Sequence, residues 1–96
     1  MSKYARKVDT NQADVIQWYQ DLGYEVINTS GAGNGFPDLI AVHEYVTGQY
    51  DIIFIEVKRS KYAKYTQAQK EFNEKYPGLA VRVETVEDVM RSVQDA

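Results

Sequence analysis

The chain has 96 residues, 44% hydrophobic and 26% charged, with a net charge of −3, which suits one soluble domain spanning 1–96 with a frayed segment at 1–8. It has no cysteine, which excludes a disulfide framework or a zinc–thiolate centre and fits a reducing cytoplasm. No apolar run approaches the roughly 18 residues of a membrane span, and Met1-Ser2-Lys3 opens no signal-peptide core, so no membrane partner is expected.

Asp9 is placed to cap a helix, with Gln12 three residues on as its capping partner. From Thr10 to Leu22 the residues Val15, Trp18, Tyr19 and Leu22 recur at helical spacing, and Gly23 stops the run. Tyr24 to Asn28 reads as a strand, and Ser30 to Gly35 as a flexible loop. Pro37 favours an extended Phe36 before it. Asp38 to His43 is a second strand, joined through a turn at Tyr45 to Tyr50 to a third, Asp51 to Val57. The third strand is apolar at successive positions, as expected for a central strand covered on both faces.

After a basic loop, Arg59 to Tyr65, Thr66 opens a helix that places Ala68, Phe72 and Tyr76 on one face before Pro77-Gly78 ends it. Leu79 to Val83 is a fourth strand. Thr85 caps a last helix with a stripe of Val86, Val89, Met90 and Val93. The expected class is α/β, a mixed sheet flanked by helices in the order αβββαβα.

Charge is unevenly distributed along this order. Residues 8–56 carry −8 with no Lys or Arg, whereas residues 57–70 carry +5 with no acid. Screening confines each block to a reach of about 8 Å, so a local basic footprint can bind phosphates on an acidic chain. A solvated basic loop is the alternative.

Asp38, Glu56 and Lys58 are charges on otherwise apolar strands. Strand alternation puts Glu56 and Lys58 on one face, and a hairpin brings Asp38, at the start of one strand, beside them at the end of the next. Two adjacent carboxylates repel unless a cation lies between them, and an oxygen-only donor set suits Mg²⁺ or Mn²⁺. A metal with a neighbouring lysine is the equipment of phosphodiester hydrolysis. The plainer alternative is a Glu56–Lys58 surface salt bridge with Asp38 as a turn residue. His43 is the lone histidine and reads as a strand residue. The glycine loop lacks the Gly-Lys-Ser/Thr ending of a phosphate-binding loop, so no nucleotide cofactor is expected.

Gly35-Phe36-Pro37-Asp38-Leu39-Ile40 followed by Phe54-Ile55-Glu56-Val57-Lys58 resembles the PD-(D/E)xK nuclease superfamily, and within it the small stand-alone virus-type replication-repair nuclease (VRR-NUC) domains of phages and bacteria. Asn11-Gln12, Thr66-Gln67-Ala68-Gln69, Val81-Arg82-Val83 and Thr85 to Val89 extend the likeness from Asp9 to nearly the end of the chain. The resemblance implies a restriction-endonuclease-like fold and a homodimer acting on branched DNA such as Holliday junctions. It implies that Asp38, Glu56 and the Val57 carbonyl hold the metal, that Lys58 positions the attacking water, and that Gln69 reaches back to the site. Gln12 stands where many relatives carry a metal-assisting glutamate; as a neutral amide it argues against a second metal and leaves Asp14 as a weaker substitute. Thr66-x-x-Gln69 is also a capping box as written, so Gln69 has two possible tasks.

Arg59, Lys61 and Lys64 interleave with Tyr62 and Tyr65 directly after the candidate site, a spacing suited to phosphate contacts with rings against sugars or bases. Asn34 is a further candidate phosphate contact. A nuclease for RNA or single strands, and a DNA-binding or assembly module that keeps the fold without catalysis, remain as alternatives.

Overall fold

The structure is a computed structural model that describes residues 12–58 and 63–94. Among the described residues, three helices and four strands follow the expected order: α1 (Gln12–Asp21), β1 (Glu25–Asn28), β2 (Leu39–Val46), β3 (Gln49–Val57), α2 (Gln67–Lys75), β4 (Ala80–Val83) and α3 (Val86–Gln94). The strands form one mixed sheet in the order β1-β2-β3-β4. β1–β2 and β2–β3 are antiparallel, and β3–β4 is parallel. A parallel neighbour needs a crossover, and α2 lies within it. The fold is thus mixed α/β. The proposed Asp9 cap of α1 lies outside the described residues.

α1 ends where Gly23 takes a left-handed conformation (φ 92°). The Gly23 N–H then reaches the Gln20 carbonyl at 2.9 Å and the Tyr24 N–H reaches the Tyr19 carbonyl at 3.0 Å, a Schellman ending. The β2–β3 hairpin is tighter than expected. β2 runs on to Val46 and β3 begins at Gln49, leaving Thr47-Gly48 at the tip. Tyr45, Val46 and Tyr50 favour strand backbone, and an irregularity between Glu44 and Val46 absorbs the twist.

One sheet face carries the core. Leu39 and Ala41 pair with Ile55 and Ile53, and all four are buried with Val83, Val15, Tyr19 and Val89. α1 and α3 pack against each other on this side, where the Tyr19 hydroxyl meets the Ser92 hydroxyl at 2.6 Å. The face of α3 turned to the core departs in part from the expected stripe: Val89 and Ser92 are buried and Val93 packs against the core, whereas Val86 and Met90 are exposed, and Ser92 meets Tyr19 of α1 on the buried side. Leu22, expected in the α1 stripe, lies just past the helix end and is 37% exposed.

The opposite sheet face is only partly covered, which corrects the expectation for β3. Phe54 is half-buried under Phe36 of the 29–38 loop, with ring centroids 6.2 Å apart, while Ile52 is 54% exposed. α2 buries no residue completely. Glu56 and Lys58 sit at the covered end of this face.

Candidate functional site

Asp38 is held by its backbone from both sides. Its N–H bonds the Ile55 carbonyl at 2.9 Å and its carbonyl accepts the Thr29 N–H at 2.8 Å. The Thr29 hydroxyl also donates to the Pro37 carbonyl at 2.8 Å, and Pro37 itself is buried. The carboxylate thereby lies over the end of β3, where Oδ2 accepts the Val57 N–H at 2.9 Å. The hairpin expectation is met: the start of β2 stands beside the end of β3.

Glu56 and Lys58 are 4% and 9% exposed, so their pairing is not a surface salt bridge. Lys58 Nζ lies 3.8 Å from Glu56 Oε2. It donates to Gln69 Oε1 at 2.8 Å and to the Lys64 carbonyl at 3.3 Å, and it stands 4.9 Å from the centre of the Tyr65 ring. Gln69 Nε2 donates to Glu56 Oε2. The same side chain completes the capping box of α2: Oε1 accepts the Thr66 N–H at 2.9 Å, and the Gln69 N–H bonds the Thr66 hydroxyl at 3.1 Å. The two readings of Gln69 are therefore both realised, at once and by one amide.

Burial raises the Glu56 carboxyl, the Asp38 carboxylate raises it further, and Lys58 and Arg82 offset only part of this, so it stands at about 7 instead of 4.5. A buried carboxyl with a carboxylate neighbour is where a divalent cation lowers the electrostatic cost. The donors are hard oxygens, which fits Mg²⁺ or Mn²⁺. Among the described residues there is no cluster of three or more His, Cys, Asp and Glu side chains of metal-binding arrangement, so carbonyl and water oxygens would have to complete the shell.

Other predicted residues fall as follows. Gln12 opens α1, is half-buried, and makes no hydrogen bond to Asp38, Glu56 or Lys58 among the described residues. Lys64 is exposed, and its carbonyl serves Lys58. Tyr65 is half-buried with its ring engaged by Lys58 and by Arg82, whose guanidinium carbon lies 5.3 Å from the centroid. Asn34 is exposed on the loop leading to Asp38. Arg59, Lys61 and Tyr62 lie outside the described residues. His43 accepts no catalytic geometry: Nδ1 lies 3.3 Å from the Gly23 carbonyl and its ring 5.2 Å from Tyr24.

Arg82 was missed as a site residue. It pairs with Glu56 across the parallel β3–β4 register, bonds the Ala63 carbonyl at 2.8 Å and Glu84 at 3.0 Å, and so fastens the end of the basic loop beside Lys58. Its one signal in the sequence is a cation between two valines on a short strand.

No protein-family model, curated protein or solved structure matches this chain.

Proposed function

We propose that the chain is a metal-dependent endodeoxyribonuclease of restriction-endonuclease-like fold, of the kind the VRR-NUC resemblance implies. The observation that carries this reading is the meeting of Asp38, Glu56, Lys58 and Gln69 at the end of one hairpin. Asp38, Glu56 and the Val57 carbonyl would hold Mg²⁺ or Mn²⁺, with Gln12 as a weaker candidate. The bound cation would supply charge neutralisation at the scissile phosphate and a lowered pKa for a coordinated water. Lys58, fixed on three sides, orients the attacking water and meets charge that develops on the phosphate. Gln69 holds Lys58 and Glu56 in register with each other. Lys64, with Arg59, Lys61 and Tyr62 before it in the sequence, would contact the DNA backbone, and two copies of the chain would act on a branched substrate such as a four-way junction.

The experiment is cleavage of four-way junction, plain duplex and single-stranded DNA with Mg²⁺, with Mn²⁺ and with EDTA. Metal-dependent cleavage with preference for the junction is expected. Absence of cleavage under all conditions would overturn the enzyme assignment. One observation favours a second reading, a DNA-binding module: Glu56 is already bonded by Gln69 and neighboured by Lys58, an arrangement that is satisfied without a cation. Tight, metal-independent junction binding without cleavage would select it.

A further inference from the structure

Beside the carboxylate site, a cleft of about 400 Å³ opens between the 29–38 loop and α2. Asn34 and Phe36 form one wall and Phe72 and Tyr76 the other, with Glu71 and Lys75 adding charged groups. The volume is in the range of small-molecule sites. Three aromatic rings line it: Phe36 and Phe72 have centroids 5.7 Å apart at 78°, and Phe72 and Tyr76 5.0 Å apart at 53°. The α2 face that carries Ala68, Phe72 and Tyr76 thus lines an open cleft, and Tyr76 is 44% exposed.

The two walls are fixed to each other. Gly35 has φ 77°, and a Cβ there would overlap the Ala68 carbonyl oxygen, so the loop backbone lies directly on the first turn of α2. The same turn carries Gln69, and the same loop runs on through Pro37 to Asp38. A strand with a phosphate at Asp38 and Glu56 therefore has this cleft beside it.

The chemistry of the lining selects a flat ligand with a polar edge. The Asn34 amide both donates and accepts, Lys75 donates, and Glu71 accepts. A bare phosphate would face the Glu71 carboxylate, which already accepts from Gln67 Nε2 at 3.2 Å, and an aliphatic side chain would leave the Asn34 amide unused. A nucleobase offers two π-faces and an edge of donors and acceptors. We propose that the cleft is a subsite for one unpaired nucleobase of the bound strand, stacked on the exposed Tyr76 ring and hydrogen-bonded by Asn34. This deepens the nuclease reading and rests on it.

The test uses two DNA duplexes that differ at one position, a bulged adenine against a bulged abasic nucleotide. Affinity is read by fluorescence anisotropy with Ca²⁺ in place of Mg²⁺, since Asp38 and Glu56 would hold a phosphate only through a cation. Wild-type protein is expected to bind the adenine duplex about tenfold more tightly. Tyr76→Leu, which keeps an apolar side chain at an exposed position, is expected to abolish that difference while binding the abasic duplex as wild type does; Asn34→Gly, which keeps the left-handed backbone (φ 57°), is expected to abolish the difference and to weaken binding of both duplexes through the lost phosphate contact. Equal wild-type affinity for the two duplexes, or a preference retained in Tyr76→Leu, would overturn the subsite. Cleavage of both duplexes with Mg²⁺ separates the two ideas. Cleavage without base preference removes the subsite and leaves the nuclease; base preference without cleavage removes the nuclease and leaves the subsite.

Discussion

Gln69 joins local structure to the chemistry of the site. Its amide closes the α2 cap at Thr66, accepts from Lys58 and donates to Glu56. Thr66→Ala removes the cap alone and is expected to cost about 1 kcal/mol in urea denaturation while leaving cleavage near the wild-type rate. Gln69→Ala is expected to cost a similar amount and also to lower cleavage more than tenfold, because Lys58 and Glu56 lose their common tether. Equal cleavage by the two variants would remove Gln69 from the site. Glu56 makes a separate prediction in EDTA. Its folded value near 7 lies above the unfolded 4.5, so the folded chain holds this proton more tightly. The stabilisation is complete below about pH 4.5 and is lost as pH rises through about 7. Relative to Glu56→Gln, which stays neutral, wild-type protein should lose stability between pH 5 and 8. A pH-independent difference between the two urea midpoints would contradict this.

At the scale of elements, periodicity made most of the fold legible. The order of helices and strands, the Gly23 stop, the Thr66 cap and the hairpin beneath Asp38 follow from residue spacing, since each is a local rule. α3 is capped as expected, by a Thr85 hydroxyl and an Asp88 carboxylate that accepts the Glu84 N–H at 2.9 Å and the Thr85 N–H at 3.2 Å. Burial alone would raise the Asp88 carboxyl, but these bonds and Arg91 hold it below its usual value. What spacing did not reveal depends on partners distant in the chain. The parallel register that sets Arg82 opposite Glu56, and the burial of Ser92 against Tyr19, require knowing what β3 and α1 present. The loop at Gly35 is the joint between local and distant structure. Gly35→Ala forces the loop off α2 and imposes a strained φ, with an expected loss of about 2 kcal/mol or more in urea denaturation. An unchanged midpoint would show that the loop is not seated on the helix.

For the whole molecule, the uneven covering of the sheet is the fact with most consequence. Ile27, Tyr50 and Ile52 lie on the face away from α1 and α3, each more than half exposed. Apolar surface on a sheet face is the usual material of a subunit contact, and Glu25 and Glu44 on the same face give it a charged border. The proposed homodimer would have this face available for a second copy. Ile52→Lys is then expected to convert a dimer into a folded monomer in sedimentation, whereas a wild-type monomer at micromolar concentration would contradict the dimer. Among the described residues no helix is long and apolar enough to cross a membrane.

The paired carboxylates at the end of the hairpin carry the functional account, and Asp38 tests them most directly because its backbone is fixed independently of its side chain. The measurement is the single-turnover cleavage rate of a labelled four-way junction in Mg²⁺ by wild type and Asp38→Ala, with circular dichroism to show that both are folded. The site predicts cleavage by wild type and a loss of about a hundredfold or more in the folded variant. Equal rates in the two proteins would contradict it.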